Sequence, residues 1–68
     1  MEVEFDKEAD AAYIYFKSGL GKGEVKRTVS LDGNINLDFD SDDKLVGIEI
    51  LNASKVVPKK GLVELASQ

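Results

Sequence analysis

Apolar residues recur at every second position through most of this chain, and that period constrains the fold more than any other feature. Residues 2–5 put Val3 and Phe5 on one face. In residues 11–16, Ala12, Ile14 and Phe16 fall on one side and Tyr13 and Tyr15 on the other. Residues 25–31 align Val25, Arg27, Val29 and Leu31. Ile35, Leu37 and Phe39 then alternate with Asn36, Asp38 and Asp40, and Val46, Ile48 and Ile50 share a face of residues 45–51. A side-chain period of two is that of a half-buried strand, so five strands are predicted.

The intervening segments are turn-forming. Asp6-Lys7-Glu8-Ala9-Asp10 is short and polar, and pairing Val3 with Ile14 and Phe5 with Ala12 makes a hairpin. Ser18-Gly19-Leu20-Gly21-Lys22-Gly23 holds three glycines in six residues and reads as a loop. Asp32-Gly33-Asn34 is a turn, with left-handed backbone expected at Asn34. Ser41-Asp42-Asp43-Lys44 closes the next hairpin. A register pairing Phe39 with Val46, Leu37 with Ile48 and Ile35 with Ile50 aligns every apolar residue, with Gly47 opposite Asp38 and Glu49 opposite Asn36. Val46, nearest the turn, is expected to tolerate change better than Ile48. After Leu51 the character changes. Asn52 and Ser54 are helix N-cap candidates, Pro58 fits a first helical position, and Leu62, Val63, Leu65 and Ala66 suit a short amphipathic helix that Gly61 weakens.

The expected fold is therefore α+β and mostly β: an antiparallel sheet of about five strands built from hairpins, with a short C-terminal helix, as one small domain over residues 1–68. A chain of 68 residues sits near the lower size limit for independent folding. Small domains are commonly reinforced by disulfides, a metal or a second subunit. With no Cys and no His, disulfides, thiolate sites and the usual zinc ligand are excluded. One short helix covers only part of a five-strand apolar face. The expected remedy is a second copy of the same sheet, giving a homodimer.

Three stretches carry a family resemblance. Phe5-Asp6-Lys7-Glu8-Ala9-Asp10-Ala11-Ala12-Tyr13-Ile14 resembles the opening of the prokaryotic domain of unknown function 2283 family. Leu37-Asp38-Phe39-Asp40 resembles its Leu-Asp-aromatic-Asp strand, and Leu45 to Ser54 is similar to its most recognisable segment. The chain departs at Asp43, where the family usually has Gly, and its tail with Gly61 matches less well. The resemblance carries over no catalytic residues. It does imply a kinship with members that look like the smaller partner in toxin–antitoxin gene pairs.

Several motifs invite a chemical reading. Asp38-x-Asp40-x-Asp42 with Glu49 at the twelfth position has calcium-loop spacing, but the sixth position is Asp43 instead of Gly, and strands flank it instead of helices. Asp6, Glu8 and Asp10 could join Asp38, Asp40 and Glu49 as a carboxylate site for magnesium or manganese. Turn chemistry is the simpler account: Asp6 and Asp10 are expected to close the first turn through side-chain to backbone hydrogen bonds. Gly19-x-Gly21-x-Gly23 precedes no helix and is no dinucleotide fingerprint. Without His, a Ser triad is excluded. Gly47 inside a strand signals a bulge or a close approach.

Lys22, Lys26 and Arg27, and Lys55, Lys59 and Lys60, read as solubilising surface. A net charge of -4 disfavours nucleic acid and favours a basic protein partner. No membrane segment or signal peptide is expected, and the absence of Cys fits a cytoplasmic location. The function expected is that of a non-catalytic, dimerising interaction module, antitoxin-like toward a basic toxin, with no cofactor. The alternative is a carboxylate-based divalent-metal-binding domain or enzyme built on Asp38, Asp40 and Glu49.

Overall fold

The computed structural model describes residues 1–21 and 23–68. Lys22 and its part in the predicted loop and basic group lie outside the described residues. Five strands form one antiparallel sheet: β1 (Glu2–Asp6), β2 (Ala11–Tyr15), β3 (Arg27–Leu31), β4 (Ile35–Phe39) and β5 (Leu45–Leu51), in the spatial order β1-β2-β5-β4-β3. Two short helices follow, α1 (Ala53–Val56) and α2 (Lys59–Ala66). The fold is α+β and mostly β, as the alternation requires. The third strand starts two residues later than its apolar period suggested, at Arg27.

The register stacks apolar side chains in rows across the sheet. Val3, Ile14, Ile48, Leu37 and Val29 lie opposite one another in turn, as do Phe5, Ala12, Ile50, Ile35 and Leu31. Within the rows, Val3–Ile14, Phe5–Ala12, Leu37–Ile48 and Ile35–Ile50 are the pairings expected from sequence, and the β2–β5 pairing, which the alternation does not assign, joins the hairpins. The exception is Phe39, which faces Leu45 and not Val46, because the register shifts after Asp38. Val46 is thus the extra residue of a β-bulge. Val46 keeps the apolar face that the alternation gives it, and it is 3% exposed and among the most buried side chains. The expected tolerance at Val46 is therefore corrected: proximity to the turn does not keep it at the surface.

Aspartate and asparagine shape the connections. Asp6 Oδ1 accepts the backbone N–H groups of Glu8 and Ala9, closing the β1–β2 turn. Asp10 ends that turn in the left-handed region, at φ 54°. Its carboxylate does not bond within the turn as expected. It reaches 44 residues along the chain to accept from the Ser54 N–H at 3.0 Å and the Ser54 hydroxyl at 2.6 Å, while its carbonyl accepts from the Ala53 N–H. Asp10 therefore caps α1. Of the two expected caps, Asn52 holds the N-cap position with left-handed backbone but turns its side chain to Asn34 Oδ1 and makes no capping bond, and Ser54 lies inside α1.

The β3–β4 turn has positive φ at Asp32 and Gly33, as a type I′ turn requires, and not at Asn34. Asp40 organises the β4–β5 turn: its Oδ1 accepts the N–H groups of Asp42 and Lys44, and Asp43 takes the left-handed backbone at φ 60°. Aspartate tolerates that region better than most residues, which accounts for Asp43 where Gly was expected.

Pro58 is the N-cap of α2 and not its first helical residue. Gly61 lies inside α2 for a packing reason. A Cβ there would sit 2.7 Å from Val57 Cγ1, so the helix needs a glycine to approach the preceding turn.

Candidate interaction site

The two faces of the sheet differ in kind. One carries Glu2, Glu4 and Asp6 of β1, Tyr13 and Tyr15 of β2, Gly47 and Glu49 of β5, Asn36 and Asp38 of β4, and Thr28 and Ser30 of β3. No strand position on this face holds Lys or Arg. Its polar groups bond one another across the strands. Asp38 accepts the Tyr13 hydroxyl and the Thr28 hydroxyl, each at 2.6 Å. Glu49 accepts Asn36 Nδ2 at 2.8 Å, Asn36 Oδ1 accepts the Ser30 hydroxyl, and Glu4 accepts the Tyr15 hydroxyl.

Gly47 makes this network possible. It lies opposite Asp38 on β5, and Tyr13 crosses it from β2 to reach that carboxylate. A Cβ at Gly47 would stand 2.5 Å from Tyr13 Cζ and closer still to the hydroxyl. The glycine therefore marks a side chain lying over the strand, one residue after the bulge. Tyr13 and Tyr15 also touch, with ring centroids 4.5 Å apart at 51°. Partial burial, then the hydrogen bond to Asp38 and nearby carboxylate charge, push the Tyr13 phenol well above its ordinary pKa. The hydrogen bond to Glu4 is the main cause of the same shift at Tyr15.

These bonds occupy the carboxylates that the calcium-loop spacing had grouped. Asp38 serves Tyr13 and Thr28, and Glu49 serves Asn36. Asp40 lies beyond the end of β4 and binds its own turn; the Lys44 N–H above all, then the Asp42 N–H, hold its carboxyl below the ordinary pKa. Among the described residues, no three carboxylates converge on a common point as metal ligands would.

The opposite face is apolar and largely uncovered. Ala12 and Val46 are its buried residues, Ala53 of α1 is buried as well, and among the described residues no large side chain is fully buried. Phe16 and Leu31 are 44% and 45% exposed, and Val29, Ile35, Leu37, Ile48 and Ile50 are only half-buried. Helix α2 packs along β1, where Leu62, Val63 and Ala66 line a shallow hollow with Phe5, Lys7 and Asp10. Its main contacts are with β1 and α1. Arg27 borders this open area, its guanidinium carbon 4.4 Å from the centre of the Phe39 ring and its Nη2 3.5 Å from Asp43. That contact accounts for a charged residue in an apolar column.

The accessible surface is 4847 Å², whereas a compact chain of 7.4 kDa exposes about 4,200 Å². The radius of gyration is 12.0 Å against about 11 Å for a compact domain of this length. The excess surface, about 600 Å², matches one partner's share of a small interface.

The model of a family described as protein of unknown function (DUF2283) matches residues 2–54. The chain belongs to this family. The uncharacterized protein MJ0789 of Methanocaldococcus jannaschii is 43% identical to this DUF2283 domain over 56 residues, which are 82% of the chain and 44% of that protein. The chain thus spans less than half the length of this curated relative. No solved structure matches it. The match ends at Ser54, the residue that Asp10 caps, so the DUF2283 sheet and its cap fall within the matched region and α2 outside it. Among the described residues, no helix is long and apolar enough to cross a membrane.

Proposed function

We propose that this DUF2283 domain is a non-catalytic interaction module that self-associates through its open apolar sheet face and binds a basic protein partner, as an antitoxin binds a basic toxin. The observation that carries the reading is the uncovered face itself. Each large apolar side chain gains about 1.5–3 kcal/mol only when fully buried, and here nearly all of them stop half-way. Packing against the same face of a second copy completes that burial with one sequence and leaves both polar faces outward. Those outward faces bear Glu2, Glu4, Asp6, Asp38 and Glu49 with no strand cation among them, which suits a basic surface.

Light scattering on the purified chain at micromolar concentration tests the first half. A dimer of twice 7.4 kDa is expected, and a stable monomer overturns the reading. Co-purification with the product of an adjacent gene tests the second. A basic protein retained at low salt and released at high salt is expected, and an acidic or absent partner overturns it.

A further inference from the structure

We propose that the second copy docks about a two-fold axis parallel to the strands, so that α2 of each chain lies over the β3 edge of the other and Val63 meets Leu31 of the partner. The inference rests on the face-to-face dimer proposed above and specifies its geometry. The apolar face is not flat. The row Phe5–Ala12–Ile50–Ile35–Leu31 crosses the whole sheet. At its β1 end α2 stands over Phe5 as a ridge. At its β3 end nothing stands over Leu31, which is 45% exposed. The ridge is itself incompletely used, since Val63 is 59% exposed although it borders the Phe5 hollow.

Two symmetric ways of stacking such faces keep the strands of the two copies aligned. An axis across the strands keeps β1 over β1 and sets ridge against ridge, which holds the central strands apart. An axis parallel to the strands exchanges the β1 and β3 sides while leaving the strand ends in place. Each ridge then fills the bare edge of the other copy, at the end of the sheet where both Val63 and Leu31 lie. The excess surface of about 600 Å² per chain is the amount that a small isologous interface removes.

The chain has no Cys, so introduced thiols report without background. The Leu31→Cys/Val63→Cys double variant and both single variants are oxidised in air with copper(II) phenanthroline and run on a non-reducing gel. Both substitutions fall at exposed positions, which preserves the fold. The double variant is expected to form a covalent dimer at least tenfold faster than either single variant, stopping at the dimer because two disulfides close between the same two chains. A ladder of larger species means an open head-to-tail contact and overturns the two-fold. Rapid cross-linking of Val63→Cys alone means ridge on ridge and overturns the axis. A light-scattering dimer that stays uncross-linked overturns the geometry while leaving the dimer standing, whereas a monomer overturns both.

Discussion

Replacing Gly47 with alanine tests how the polar face is built. The new methyl would overlap the Tyr13 ring, at 2.5 Å from Cζ, so the ring must leave the surface of β5. Its hydroxyl then loses the 2.6 Å bond to Asp38. A hydrogen bond to a charged group contributes about 1.5–3 kcal/mol. Displacing a half-buried ring costs about 1 kcal/mol more. Against this, removing a strand glycine returns about 0.5–1 kcal/mol of backbone entropy. The net loss is about 1.5–3.5 kcal/mol, a large fraction of the roughly 3–10 kcal/mol expected for a domain of this length. Urea unfolding followed by circular dichroism, at one fixed protein concentration, measures it. The decisive comparison is the Tyr13→Ala background, where no ring remains to collide. There Gly47→Ala should be neutral or slightly stabilising, giving a coupling energy of about 2.5–4 kcal/mol. An equal loss in both backgrounds refutes the account, because the glycine would then serve the backbone and not Tyr13.

Asp10→Gly keeps the left-handed backbone but removes the cap of α1, and should cost about 1–2 kcal/mol, with the fastest gain in amide hydrogen exchange at Ala53 and Ser54. Ile48→Asp, at the centre of the open face, should abolish the dimer in light scattering and cost several kcal/mol in urea, while Ser41→Ala leaves the midpoint unchanged. The Tyr13 phenol is raised in the folded state, so its contribution is full below the unfolded value near pH 10 and falls as pH rises above it, because the unfolded chain ionises first; Tyr13→Phe should flatten the alkaline limb of a stability–pH profile. Asp40 behaves oppositely. Its carboxyl is lowered, so its contribution is full above the unfolded carboxyl range and is lost as pH falls through the folded value, and Asp40→Asn should reduce the loss on the acid side.

The strands were legible because one face of each must be apolar, and a slip of one residue would have reversed that face. This is why Val3 was paired with Ile14 and Leu37 with Ile48 without coordinates, whereas the β2–β5 pairing that joins them into one row was not assigned. The bulge was not legible in position. A shift confined to the last pair leaves the alternation of Val46, Ile48 and Ile50 intact, so the period carries no trace of Phe39 pairing with Leu45 in place of Val46. Gly47 was the trace, since a glycine flanked by strand residues has no reason in propensity. Its partner Tyr13 was hidden because Tyr13 pairs directly with Glu49, and the reach to Gly47 and Asp38 is diagonal. The cap was hidden for a different reason. Local rules look for a cap at the residues at the start of a helix, and they offered Asn52 and Ser54. The acceptor that α1 uses comes from Asp10, in a turn at the other end of the chain.

That long reach bears on how the open face is held ready. Asp10 lies between β1 and β2, and Ser54 follows β5, the strand that pairs with β2. The cap therefore ties α1, and through Val57 and Gly61 the start of α2, to the β1 side of the sheet. Were α2 free to swing over β5 and β4, the chain could cover much of its own apolar face and would have less to gain from a partner. With the helix anchored at one edge, its cover is centred on Phe5, and Phe16 and Leu31 stay exposed. The aspartate at the end of that turn thus limits the domain's ability to satisfy itself. Asp10→Gly should accordingly weaken the dimer as well as the fold, and a variant that loses stability while dimerising undiminished would show the two to be independent.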